Sequence, residues 1–330
     1  MKTEILPVEE AGLIKAKKIL TEGGLVGMPT ETVYGLAADA RNDRAVADIF
    51  TVKGRPQDNP LIVHVHEEYD LSSLVEITQD YVPDLIKAFM PGPLTLVMKS
   101  RNAVSPRVSC GLDSLAVRMP QSPECRKFLR FVDMPIAAPS ANISKHTSPV
   151  TAMHVFEDFN GKIPLILDGG RCTGGIESTV LNVMDKTPVI LRSGLITRED
   201  ILGVVGRCEY SDGKGPVRSP GTKYRHYHPA CETALFGRGE LSAALALCKE
   251  ARAEGKRVFF LADGEAGKLL ASAGETDVLP LGNTAEEIAR NVYFQLHEAE
   301  KVCDLLIAFS MEEKGVLVGV MNRLSKACAK

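Results

Sequence analysis

Short apolar runs closed by proline or glycine fill the first two hundred residues, and a chain patterned this way has few ways to fold. Leu25–Met28, Leu61–Val65, Leu94–Met98, Leu115–Arg118, Ile136–Ala138, Leu165–Leu167, Val180–Val183 and Val189–Leu191 are each three to five residues long. Runs that short, bounded by turn formers, bury as strands, because a buried helix needs ten or more residues with apolar positions three or four apart. Helical spacing occurs between them, at 9–22, 43–52, 80–89 and 122–132. The first of these carries Leu13, Ile14, Ile19 and Leu20 and stops at Gly23-Gly24, a glycine-terminated helix. The alternation predicts an α/β fold with a large mixed sheet.

The pattern breaks at 207–229, where RCEYSDGKGPVRSPGTKYRHYHP replaces aliphatic residues with glycine, proline, tyrosine and basic side chains. A flexible spacer would be bland and rich in Gly and Ser, so this segment reads as an ordered linker that packs on something. A second alternation fills 230–330: ETALF, a helix at 239–254, RVFFLA, a helix at 265–272, DVLPL, a helix at 284–300 and LLIAF. A fifth apolar run, Val316–Val320, precedes a short helical tail. Three parts follow: a domain at 1–206, the linker at 207–229, and a small doubly wound, Rossmann-like domain at 230–330.

Composition removes several classes. Hydrophobic residues make up 45% and charged ones 25% of the 330 residues, with a formal net charge of −3, so the chain is globular and not a dedicated, strongly basic nucleic-acid binder. No apolar run approaches the roughly 18 residues of a membrane span. The acidic MKTEILPVEEAG start is no signal peptide. Eight cysteines without a CxxC pair read as reduced thiols of a cytoplasmic protein.

Two glycine-rich segments are phosphate-site decoys. Gly264-Glu265-Ala266-Gly267-Lys268-Leu269 lacks the hydroxyl residue that follows the lysine of a P-loop, and Gly169–Gly175 is not GxGxxG. The segment Lys53-Gly54-Arg55-Pro56-Gln57-Asp58-Asn59-Pro60 says more. A lysine point charge and a forked arginine around a glycine suit a polyphosphate, although a solvated basic turn fits the same residues. His64 and His66 alternate along a strand, with no third ligand that would argue for zinc. Ala138-Pro139-Ser140-Ala141-Asn142 ends a strand with small and hydrogen-bonding residues, which suits either a capped helix start or the ligand-binding end of an α/β sheet. Pro29–Leu36 and Glu177-Ser178-Thr179, taken alone, read as ordinary turns. No GxSxG elbow and no Ser–His–Asp ordering occurs. A site rich in Lys, Arg, Ser, Thr and Asn and poor in nucleophiles suits phosphoryl or nucleotidyl transfer by positioning and charge stabilisation.

Taken in order, these segments resemble the YrdC-like threonylcarbamoyl-AMP synthases in their long, two-domain form. PTETVYGL stands at 29–36, KGRPxxNPLxxH at 53–64, PGPLT at 91–95, AVRxP at 116–120, APSANxS at 138–144 and SP at 148–149. GGxCxxGxESTV follows at 169–180, ILRxG at 190–194, SPGxxYxHYxP at 219–229 and NRLxKA at 322–327. The resemblance implies a twisted mixed sheet with a concave basic cavity. It also implies a nucleotidyltransferase that condenses L-threonine, bicarbonate and ATP into threonylcarbamoyl-AMP and pyrophosphate, for threonylcarbamoyladenosine modification of tRNA. Magnesium would accompany ATP, held by phosphates and water, and a downstream tRNA threonylcarbamoyl transferase would be the partner. Direct tRNA contact and oligomeric state stay open.

Carried over residue by residue, the resemblance implies Lys53, Arg55, Ser140 and Asn142 as the catalytic core around the triphosphate. Asn59, Ser114, Ser148, Arg192 and Tyr227, with Tyr224 as a further candidate, would join the ATP contacts. Thr32, His64, Arg118, Ala138 and Ser178 would surround threonine, Arg118 and Ser178 facing its carboxylate. The chain departs from the family's pattern at Lys145, where glycine is usual, and at Val150, Asn182 and Ser193, so the 144–150 loop is the place where a different shape is expected. The competing readings are an RNA-binding module without turnover, a carbamoyl-transfer enzyme of hydrogenase maturation, against which the missing CxxC pairs count, and a regulatory nucleotide-binding protein.

Overall fold

In the computed structural model, which describes residues 1–213, 227 and 229–328, twelve strands form one mixed sheet. They are β1 (Glu4–Pro7), β2 (Val26–Met28), β3 (Gly35–Asp39), β4 (Ile62–His64), β5 (Val75–Glu76), β6 (Leu94–Ser100), β7 (Ser114–Arg118), β8 (Ile136–Ala137), β9 (Leu165–Asp168), β10 (Thr179–Asn182), β11 (Val189–Arg192) and β12 (Glu209–Tyr210). The order is β1-β9-β2-β3-β8-β4-β7-β6-β10-β11-β12, with β5 on the side of β6. Every apolar run singled out in this part of the sequence lies on a strand. The sequence reading missed β1, inside the acidic N-terminus, β3, which follows directly from the Pro29–Tyr34 turn, and the two-residue β5 and β12.

The helices over Glu10–Thr21, Asp43–Lys53, Val82–Phe89 and Pro123–Val132 fall within two residues of the sequence expectation. Leu13, Ala16 and Leu20 of the first pack with Cys125, Phe128 and Leu129 of the last against Val26, Met28, Leu165 and Leu167 of the sheet. The 3.6-residue and two-residue periods thus meet in one core. Close approach also constrains the sheet's far side: a Cβ on Gly194 would lie 2.4 Å from the Thr179 nitrogen and 2.5 Å from the Glu177 oxygen, so only glycine lets the chain leaving β11 pass the start of β10.

A second sheet of four parallel strands comprises β13 (Glu232–Phe236), β14 (Val258–Asp263), β15 (Val278–Gly282) and β16 (Leu305–Phe309), in the order β13-β16-β14-β15. Its helices span Leu241–Ala253, Gly264–Ser272, Ala285–Val302 and Val316–Ala327. Phe260, Ala262, Ile307 and Phe309 pack with Ala244, Cys248, Ala266 and Leu270. The expected fifth strand is absent: Val316–Val320 opens a helix that buries Val320, Met321, Leu324 and Ala327. At the carboxyl ends of the four strands a cavity of about 730 Å³ is lined by Arg238, Asp263, Asn283, Ser310, Met311 and Leu317, among others.

The chain divides into two compact units. One comprises 1–144, 148–173 and 177–224; the other comprises 145–147, 174–176 and 225–330. The linker expectation at 207–229 falls largely outside the described residues. No described helix is long and apolar enough to cross a membrane.

Candidate active site

Strand register assembles the site. In the parallel pair β4–β7, His64 lies beside Arg118. Arg118 in turn lies beside Thr95 of the antiparallel β6, and Thr95 beside Val180 of β10. His64, Arg118 and Ser178, far apart in sequence, therefore come to one edge of the central strands. Extended two residues back from the Ile62–Ala116 pair, the same register sets Ser114 level with Pro60. At about 3.3 Å per residue this is roughly 13 Å from Arg118. One end of β4 and β7 thus carries Asn59 and Ser114, and the other carries His64 and Arg118.

The cationic loop and the Ser/Asn strand end meet. Lys53, the last helical residue before Gly54, is 2% exposed. Its ammonium donates to the Ser140 carbonyl at 2.6 Å and to the Asn142 carbonyl, while the Ser144 nitrogen donates to the Lys53 carbonyl at 2.8 Å. Burial, reinforced by the Arg55 charge, holds its pKa well below the usual lysine range. The sequence reading gave Lys53 the part of a phosphate clamp beside Arg55; the structure makes it the tie that fixes the 140–142 backbone. Arg55 turns onto its own loop, donating to the carbonyls of Asn59 (3.1 and 3.2 Å) and Pro60 (3.1 Å). The Asn59 side chain is 1% exposed, and neither its oxygen nor its nitrogen has a partner. A buried amide in that state costs free energy until something pairs with it.

At the other edge, Arg118 is 3% exposed. Its Nε donates to the Gly92 carbonyl at 3.3 Å, one terminal nitrogen to Thr32 Oγ1 at 2.8 Å, and the other to Glu31 Oε1 at 2.6 Å. Thr32 Oγ1 also bonds Thr30 Oγ1 at 2.8 Å, and Thr30 Oγ1 accepts from the Thr32 and Val33 nitrogens. His64 is enclosed with Nδ1 unpartnered. Burial, aided by the Arg118 charge, lowers its pKa to about 3, so the imidazole is neutral. Ser178 Oγ bonds Thr95 Oγ1 at 2.8 Å, and Arg192 donates to the Ser178 carbonyl (3.1 Å) and Oγ (3.2 Å). Ser148 Oγ donates to Glu177 Oε1 at 2.7 Å. The Ala138 nitrogen donates to the Ile62 carbonyl at 3.0 Å, setting the strand end against β4. Tyr34 ties the first motif to the double-glycine loop, its hydroxyl donating to the Gly170 carbonyl at 2.7 Å.

Lys145 adopts φ +80°, the left-handed conformation that glycine takes without strain. Tyr227 belongs to the second unit, where its ring lies 5.3 Å from that of Tyr293 and its carbonyl accepts from Thr147 Oγ1 at 3.5 Å. Tyr224 lies outside the described residues. The sequence reading missed Glu31, although it stands inside the quoted PTETVYGL: turn-prone neighbours hid a carboxylate that the fold buries against Arg118.

The twisted mixed sheet, with these loops collected at its strand ends, defines a YrdC-like α/β protein. A family model described as telomere recombination (Sua5/YciO/YrdC) matches residues 18–194, and one described as the C-terminal domain of threonylcarbamoyl-AMP synthase matches 196–329. A threonylcarbamoyl-AMP synthase of Pyrococcus abyssi is 41% identical over 97% of this chain and 95% of its own; one from Bacillus subtilis is 40% identical over 98% and 95%. The crystal structure of P. abyssi Sua5 complexed with L-threonine superposes with a TM-score of 0.88 at 40% identity, over 99% of this chain and 97% of that one. The chain belongs to the threonylcarbamoyl-AMP synthase family in its two-domain form, and is an enzyme of the nucleotidyltransferase type.

Proposed function

We propose that this enzyme condenses L-threonine, bicarbonate and ATP, using the two ends of β4 and β7 as two subsites. The observation that carries the reading is Lys53, whose buried Nζ donates to the carbonyls of Ser140 and Asn142 and so locks the KGR loop to the SAN strand end. Arg55, Asn59, Ser114, Ser140, Asn142, Ser148 and Arg192 hold the nucleotide. Thr32, His64, Arg118, Ala138 and Ser178 hold threonine, since the fork of Arg118 matches a carboxylate.

The threonine ammonium gives up a proton to solvent, and the free amine then attacks bicarbonate, expelling water to give a carbamate. A carbamate oxygen then attacks the α-phosphorus of ATP, and the bond to the bridging oxygen breaks to release pyrophosphate. Proximity of the bound groups supplies on the order of 7–11 kcal/mol of barrier reduction. Magnesium enters with the nucleotide, held by phosphate and water oxygens, the ligands this metal prefers. The product passes to a tRNA threonylcarbamoyl transferase in the cytoplasm.

The test is incubation with threonine, bicarbonate, magnesium and ATP. Threonine-dependent pyrophosphate and an AMP-linked product are expected, with at least a hundredfold loss in Arg55→Ala. Arg55 is a better probe than Lys53, whose removal would strip a buried donor from two carbonyls. ATP turnover indifferent to threonine would refute the reading, and tRNA binding with steep salt dependence but no turnover would favour the RNA-binding alternative.

A further inference from the structure

The Arg118 guanidinium meets a resident carboxylate before any substrate arrives. Glu31 is 3% exposed and its Oε1 accepts from Arg118, while Oε2 is buried with no hydrogen-bond partner. Three of the five Arg118 N–H groups are engaged, by Gly92, Thr32 and Glu31, which leaves two for an incoming carboxylate. We propose that Glu31 makes the amino-acid subsite demand an α-ammonium, its free oxygen accepting from that group while Arg118 takes the carboxylate.

Charge balance in an enclosed site carries the argument, which rests on the threonine subsite placed above. Arg118 and Glu31 cancel. His64 is neutral for the reason already given. The buried thiols Cys125 and Cys172, which feel the Glu31 charge, are pushed far up chiefly by burial and stay protonated. Arg192, which bonds Ser178, and Glu177, next to Ser178 in sequence, carry formal charges of opposite sign. These resident charges sum to about zero, and the ligand the subsite can bury without an uncompensated ion is one that is itself neutral overall. A zwitterionic amino acid meets that condition and fills both vacancies, two N–H groups on Arg118 and one oxygen on Glu31. A simple carboxylic acid would fill the first and leave the second bare, adding an unbalanced negative charge.

The test compares L-threonine with (2S,3R)-2,3-dihydroxybutyrate, in which a hydroxyl replaces the ammonium, by calorimetric titration of the full chain. The wild type is expected to prefer threonine by at least a hundredfold. Glu31→Gln should lose at least thirtyfold in threonine affinity while its affinity for the hydroxy acid stays level or rises, and ATP affinity should not move. Glu31→Asp, which keeps the charge, should keep the preference. A merely structural role would weaken both ligands together, and that outcome overturns the proposal. So does a folded Glu31→Gln with the wild-type preference, or a wild type that takes both ligands equally, a result needing no variant. A wild type that binds no threonine would instead remove the functional reading beneath it.

Discussion

His64 is enclosed between β7 and β8, and its imidazole resists protonation down to about pH 3. An unfolded histidine titrates near 6.5, so as pH falls below that value the unfolded chain takes up a proton that the folded chain refuses. The sign follows: folding stability drops with acidification, by about 1.4 kcal/mol per pH unit between 6.5 and 3. From pH 6.5 to 5, above the range where most carboxylates titrate, the loss from this residue is about 2 kcal/mol. Urea titrations at pH 7, 6 and 5 should show that slope in the wild type and a flatter one in His64→Gln; equal slopes would contradict the assignment. What the sequence hid at this scale is pairing. Lys53, Arg55 and Arg118 are visible as cations in motifs, but nothing in the string says that Lys53 spends its ammonium on two carbonyls or that Arg118 already holds Glu31. Those facts come from contacts between segments 87 and 89 residues apart in the chain.

Among the elements, the 144–150 loop carries one left-handed torsion at a non-glycine residue, Lys145 at φ +80°. A non-glycine residue held in the left-handed region costs roughly 1–3 kcal/mol. Glycine's larger unfolded-state entropy takes back about 0.5–1. Lys145→Gly should therefore raise stability by on the order of 1 kcal/mol, read as a melting temperature higher by a few degrees; a lower one would show that φ +80° is not strained here. Strands such as β4, β6 and β7 were legible because their runs are apolar and bounded by Pro or Gly. β3 was not, since Gly-Leu-Ala-Ala-Asp carries little β-propensity and owes its conformation to the strands on either side. Val316–Val320 misled in the opposite sense. A β-branched run reads as strand, yet Val320, Leu324 and Ala327 share a helical face, and that burial prevailed over local preference.

Among the described residues each compact unit has an apolar core of its own. Phe260 is completely buried in the second. Phe260→Ala should cost about 3–5 kcal/mol there, while sites with no shared partners are nearly additive. Hydrogen exchange should accordingly speed up at 258–263 and 305–309 and remain as in the wild type at 62–64 and 114–118; acceleration in both places would show one cooperative unit. The second sheet carries a consequence of its own. With its four strands running the same way, every chain reversal after a strand opens onto the cavity that Asp263, Asn283 and Ser310 help to line. Those turns can lengthen, shorten or change sign of charge without disturbing Phe260 or Ile307 beneath them. This domain can thus alter what it offers to solvent while its interior stays the same.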